Sequence, residues 1–295
     1  MRNAPPAPEE SAGASPAPLP PPGSEDLRAE RLARAQGYPY PCPDCSYLYI
    51  DGVALPLHGH GADPLAGEVE IAGGRLPALE HLGRAGLGAA AREERVPVLA
   101  YGSNRAPQQL ARKYGHWREP VVIPVVHGWL AGFDVVYAAR LAGYGSVAAT
   151  VTLSPGTEAS VSVIWLTARQ LDLMHGTEGI GQQVYCYGRL DGIDLRLDGG
   201  GALESVFAYV NLDGALIDSG SPVALAAVPA RGRVFPALDQ RAMLTLVRDR
   251  LEPGADLESF ILAHIDDRTL GLERSRSLAA GARSFAHGGF LRLLG

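Results

Sequence analysis

An apolar run, Val98-Leu99-Ala100, stops abruptly at Tyr101-Gly102-Ser103-Asn104 and passes into a helical pattern in which Leu110 and Tyr114 share one face and Gly115 takes the C-terminal cap. A strand that ends on small, turn-forming residues ahead of a helix leaves backbone amides aimed into open space, where they can hold an oxyanion or a carboxylate. This unit needs a partner that moves protons. A carboxyl group is available further along, in Leu171-Asp172-Leu173-Met174-His175-Gly176-Thr177-Glu178-Gly179.

Between and beyond these two segments the pattern is of short strands separated by Gly and Pro turns. It runs through His127-Gly128-Trp129-Leu130-Ala131-Gly132-Phe133, Gly145-Ser146-Val147-Ala148-Ala149-Thr150 and Val161-Ser162-Val163-Ile164-Trp165-Leu166-Thr167, and ends at Phe207-Ala208-Tyr209-Val210. Such spacing predicts a small closed or nearly closed barrel, whose mouth is a natural pocket. Tyr185 and Tyr187 flank Cys186 on one strand, so the tyrosines face opposite to the cysteine.

The order of these segments resembles the γ-glutamylcyclotransferase-like superfamily, over roughly residues 96 to 215. Tyr101-Gly102-Ser103-Asn104 stands where that family carries its Tyr-Gly-Ser-Asn loop, and Glu178 stands where it has a catalytic glutamate. His127 to Phe133 matches its glycine-aromatic strand, Gly145 to Thr150 its small-residue strand, and Val161 to Thr167 the strand ahead of the glutamate. The resemblance implies an α+β fold: a small mixed β-barrel with flanking helices, here followed by a helical C-terminal extension. It implies Glu178 as general base and then general acid, a role that needs a partly buried carboxyl. Tyr101, Gly102, Ser103 and Asn104 would bind substrate, a small-molecule γ-glutamyl amine or amide that closes on itself to release 5-oxoproline and a free amine. No metal and no cofactor enter that chemistry, and no protein partner is implied. The chain departs from the family pattern at Arg105, where an apolar residue is common, at Met174 to Thr177, where Gly176 interrupts a regular helical approach, and in its long flanking segments.

Plainer readings stand beside each of these. Glu178 reads equally as a surface turn glutamate, and Gly102 with Asn104 as a strand-to-helix turn that only satisfies its own geometry. His175, three residues before Glu178, would share a helical face with it or be a structural histidine. Cys42-Pro43-Asp44-Cys45 with His58-Gly59-His60 is read as ordinary packing; a tetrahedral metal set and a redox pair are the alternatives. Cys186 has no activating base or cation nearby in sequence and is not read as a nucleophile. For the whole chain, the rivals to cyclotransfer are a non-catalytic module binding a small amide or a protein on the same barrel, and an amide transferase acting on another acyl group.

Four parts are predicted along the chain. Residues 1–36 are a disordered Pro/Ala-rich tail and linker, in which 25–36 carry a weakly amphipathic helical pattern. Residues 37–95 are an extension with a hairpin around Asp51-Gly52 and a helix after Leu76. Residues 96–235 are the barrel, and 236–295 a helical extension read as a helix pair, with the charge-dense stretches Asp266 to Thr269 and Glu273 to Arg276 as solvated faces. A chain of 295 residues with 46% hydrophobic and 20% charged residues has material for a sizeable core. Its net charge of -6 and the absence of any Lys/Arg-rich run argue against nucleic acid. No stretch has the length of a membrane span and the first residues lack a signal-peptide core, so a cytoplasmic location is expected, which three cysteines in odd number suit. Lys113 is the single lysine, which with heavy Ala, Gly and Pro usage suggests a GC-rich bacterial genome.

Overall fold

The computed structural model describes residues 24–295; the predicted disorder of the Pro/Ala-rich tail falls on residues 1–23, outside those described. Helix α1 (Ser24–Gln36) comes first. The extension then contributes β1 (Tyr47–Ile50), β2 (Val53–His58), β3 (Glu68–Ile71), β4 (Gly74–Pro77), α2 (Ala78–Arg84) and α3 (Gly88–Ala91). The Asp-Gly signal is a hairpin as expected: Asp51 and Gly52 both take positive φ, 44° and 97°, the handedness a tight two-residue turn requires. The Asp51 carboxylate also accepts the Val121 amide at 2.7 Å, and β1 pairs along the start of β6 (Val122–Leu141), so the extension is built onto the barrel sheet.

Five strands close the barrel: β5 (Val96–Ala100), β6, β7 (Val147–Leu166), β8 (Tyr185–Leu197) and β9 (Ala202–Asn211). β6 pairs with β7, β7 with β5, β5 with β9, β9 with β8 and β8 with β6 again, all antiparallel except the parallel β5–β9 pair. The mixed α+β barrel is as expected, but its strands are not all short. β6 and β7 run 20 residues each. They bend at register shifts, one of them at Gly132, whose φ of 80° lets the strand turn without leaving the ladder. Glycine punctuation therefore marks kinks within a strand here, where sequence patterning reads it as strand ends.

Alternation along the strands feeds two cores. Leu99 and Val163 belong to one, which also takes in Leu32 and Ala35 of α1. Val98, Ala100 and Ile164 belong to the other, packed under α4 (Pro107–Tyr114) and α5 (Ala168–Thr177) through Leu110, Tyr114 and Met174. Cys186 joins the first and Tyr187 the second, as alternation requires.

The tail forms three helices, not a pair: α6 (Gln240–Leu251), α7 (Leu257–Asp266) and α8 (Arg268–Ala279). Each starts on an aspartate cap, Asp239, Asp256 and Asp267, whose side chain accepts first-turn amides. Met243, Leu244, Phe260 and Ile261 enter the same core as the barrel strands. The charge-dense stretch of α8 is not a solvated face throughout, because Arg274 is buried. Its guanidinium pairs with Glu252, donates to the Phe260 carbonyl at 2.9 Å and lies 3.8 Å over the Phe260 ring.

Phe260→Ala is expected to destabilise the fold by about 3–5 kcal/mol, the cost of emptying a fully buried aromatic site. Urea unfolding checks this, and because barrel and helices share one core the transition is expected to stay single. His264 on α7 is buried, holds the Ala142 carbonyl at 2.9 Å, and desolvation lowers its pKa from the ordinary value of 6.5. Below that value the unfolded chain takes up a proton that the folded chain refuses, so stability falls as pH drops through the window just under 6.5. Unfolding midpoints at pH 7.5 and about 5.5 should therefore differ less in His264→Gln than in the parent.

Candidate active site

Both halves of the predicted site line one cavity of about 930 Å³. The loop Tyr101 to Asn104 leaves the end of β5, Ser103 to Arg105 make a single tight turn, and Pro107 starts α4. Glu178 reaches the same place from the C-terminal end of α5. That helix begins on a Thr167–Gln170 capping box and runs through Gly176 to Thr177, so the glycine does not interrupt it as the sequence suggested; Glu178 is the cap residue, and Gly179, at φ 67°, turns the chain away.

The two elements touch. Asn104 Nδ2 donates to Glu178 Oε1 at 2.9 Å, and Lys113 on α4 forms an ion pair with the same oxygen. The Lys113 side chain is 6% exposed and that of Glu178 13%, so the pair sits in a largely dry environment in which charge-assisted bonds are strong. Among the described residues no hydrogen bond reaches Glu178 Oε2, and none occupies the amides of Gly102, Ser103 or Asn104. The site thus offers a carboxylate oxygen and a run of backbone donors on the wall of one cavity.

Gly102 has no room for a side chain, since a Cβ there would fall 2.5 Å from the Tyr38 hydroxyl. Tyr38, from the segment following α1, is fixed by the Ala149 amide, which donates to its oxygen at 3.1 Å. Tyr101 donates to the Tyr209 carbonyl at 2.6 Å and Tyr185 to the Ala149 carbonyl at 2.9 Å. Burial pushes the Tyr38, Tyr101 and Tyr185 phenols well above their ordinary pKa, so they line the cavity as neutral hydrogen-bonding groups. The far wall comes from Arg140 to Tyr144 at the end of β6 and from α7 and α8, including Ile265, Arg268 and Leu272.

Other candidates lie elsewhere. His175 turns away from Glu178: its Nδ1 lies 2.7 Å from the Tyr209 hydroxyl and its ring packs edge-on against Tyr187. Cys42 donates to the Arg105 carbonyl at 2.8 Å, His60 contacts Ser46 Oγ at 3.0 Å and His58 pairs with Glu70, so three of the four possible metal ligands are engaged in separate contacts, while Cys45 is exposed. Among the described residues no group of three His, Cys, Asp or Glu side chains gathers as a metal site would, and no helix is long and apolar enough to cross a membrane. Lys113 is the residue of this candidate site that motif reasoning passed over. Its signal was present, because a chain whose basic residues are otherwise all arginine keeps one lysine, and that one is buried against the carboxylate.

Known proteins show distant likenesses. No family model matches the sequence, and no curated protein matches it either. Among solved structures, one described as "Gamma-glutamyl cyclotransferase" is similar at 13% identity, covering 66% of this chain and 92% of its own, with a TM-score of 0.34. An uncharacterised protein from Homo sapiens is similar at 14% identity, 67% and 93% coverage and a TM-score of 0.35. YkqA from Bacillus subtilis follows at 13% identity, 82% and 76% coverage and a TM-score of 0.31. These are likenesses of chain path at low score; the chemistry of the site follows from its own atoms.

Removing one member of a buried ion pair leaves the other uncompensated. Lys113→Met is therefore expected to destabilise the fold by about 3 kcal/mol, and the Lys113→Met/Glu178→Gln double variant by clearly less than the sum of the two single changes. Urea unfolding of the four proteins in the cycle measures that coupling.

Proposed function

We propose that the protein is a γ-glutamylcyclotransferase-like enzyme that performs intramolecular acyl transfer on a small γ-glutamyl amine or amide. One observation carries the reading: Glu178 and the Gly102 to Asn104 loop meet on the wall of one cavity, with Asn104 bonded to the carboxylate. In this reading the substrate's α-amine nitrogen attacks its own γ-carbonyl carbon. The new N–C bond closes a five-membered ring while the amine proton passes to Glu178 Oε2, the oxygen not engaged by Lys113 and Asn104. Charge that develops on the carbonyl oxygen is met by the loop amides. Collapse of the tetrahedral centre breaks the bond to the leaving nitrogen, which takes the proton back from Glu178, and 5-oxoproline and a free amine depart. Nothing is consumed beyond the substrate, and both reacting groups belong to one molecule, so holding the correct conformer supplies much of the rate.

The members of the site have separate tasks under this proposal. Lys113 and Asn104 fix the Glu178 carboxylate, Tyr101 and Tyr185 shape the wall as neutral phenols, and Gly102 keeps the backbone accessible because it carries no side chain. Tyr38 and the helices α7 and α8 complete the cavity wall, and the partner is a small molecule.

The test is incubation of the parent and of Glu178→Gln with a panel of γ-glutamyl amines, amino acids and peptides, with 5-oxoproline followed by mass spectrometry. Release by the parent and a loss of at least about 10³-fold in kcat in a folded Glu178→Gln is expected for removal of the acid/base. Equal release by both, or none by the folded parent across the panel, would sink the proposal and favour a binding module or another acyl group.

A further inference from the structure

Arg105 is one of the places at which the chain departs from the pattern of the family it resembles, and the structure buries it. It is 8% exposed, and among the described residues no carboxylate lies within ion-pairing distance of its guanidinium. A guanidinium taken out of water without an acid is costly, and such a group persists where the surrounding structure over-determines it. Here the side chain is held at Ser160 and the backbone carbonyl is held separately.

The guanidinium donates to the Ser160 carbonyl on β7 at 3.0 Å and lies 3.5 Å from Ser160 Oγ. Ser160 Oγ is 2.8 Å from His127 Nε2 on β6, and His127 Nδ1 meets Asp198 at the end of β8. A carboxylate only accepts, so Nδ1 carries the hydrogen towards Asp198, and Nε2 and the Ser160 hydroxyl bond to each other beside Arg105. The Arg105 side chain is thereby joined through Ser160 to the His127–Asp198 pair. Behind the loop, the Arg105 carbonyl accepts from Tyr47 at 2.8 Å and from Cys42 Sγ at 2.8 Å, both in the 37–95 segment.

We propose that Arg105 is a positioning residue for the Asn104–Glu178 contact, clamped by Cys42 and Tyr47 on its carbonyl and by the Ser160–His127–Asp198 relay on its side chain. Asn104 precedes it directly, and Ala106, which follows it, bonds back to the Ser103 carbonyl at 2.9 Å and caps the helix that carries Lys113. Holding Arg105 thus fixes both groups that grip Glu178. The 37–95 segment becomes part of the site although, within this network, neither Cys42 nor Tyr47 touches Glu178. The effect on turnover rests on the cyclotransferase reading; the effect on loop order does not.

Arg105→Met, Arg105→Lys and the Tyr47→Phe/Cys42→Ala pair test this, by hydrogen–deuterium exchange together with 5-oxoproline kinetics. In Arg105→Met, the hydrogen-bonded amides of Ala106, Gln109 and Leu110, which close the turn and start α4, are expected to exchange about tenfold faster while the β6–β7 ladder keeps its protection. kcat should fall about tenfold or more with KM within about twofold, the signature of a displaced acid/base rather than lost binding, and Arg105→Lys should recover part of it. Native-like exchange at Ala106, Gln109 and Leu110 overturns the proposal whatever the kinetics show, and so does faster exchange spread evenly over the barrel. Should Arg105→Met not fold, the Tyr47→Phe/Cys42→Ala pair, which removes only the two donors, decides by the same criteria. Should the parent release no 5-oxoproline, exchange alone decides, and the failure belongs to the proposed reaction.

Discussion

The parallel pairing of β5 with β9 is the constraint on which the rest of the structure depends. β5 is five residues long and stands between β7, which it meets antiparallel, and β9, which it meets in parallel. Without it the ring of β6, β7, β8 and β9 stays open, with unpaired backbone groups along two edges. Its insertion also delivers Tyr101 to Asn104 to the end of the barrel at which α5 finishes, so one strand both closes the fold and presents the loop. The short turn into α4 then brings Lys113 back under Glu178.

The flanking segments are bound into this arrangement by shared packing. Leu32 and Ala35 of α1 lie in the same core as Phe260 and Ile261 of α7 and the barrel strands, while Tyr38 stands against Gly102. The cavity is walled on one side by the barrel and on the other by α7 and α8, so its dimensions depend on how those helices seat on the core. Arg274 shows how firmly they seat: a buried guanidinium tied to Glu252, to a carbonyl and to an aromatic face leaves little freedom for α8 to slide.

Much of the fold was legible because its signals are local. The Asp51-Gly52 turn, the alternation around Cys186, the Gly-Ser-Asn ending of β5 and the helix carrying Leu110 and Tyr114 each depend on neighbours a few residues apart. The failures share one cause. Gly176 inside α5, the glycines inside β6 and the charged run containing Arg274 all look like breaks or surfaces when judged locally. In each case tertiary packing overrides the local preference: α5 is held by Met174 in the core, β6 by pairing with β7, and Arg274 by Glu252 and Phe260 on the packed neighbouring segments.

The sequence by itself determined the candidates proposed for acid/base and oxyanion chemistry, namely Glu178 and the Tyr101 to Asn104 loop, and that they would sit on a mixed barrel with flanking helices. Only the tertiary structure decided that Oε1 of Glu178 is taken by Lys113 and Asn104, that His175 serves Tyr209 instead, that Tyr38 closes over Gly102, and that Arg105 is buried beside Ser160. The reason is physical. Periodicity and turn chemistry act over a few residues of chain, whereas hydrogen bonds and ion pairs join whichever groups the closed barrel brings within about 3 Å, however far apart they lie in sequence.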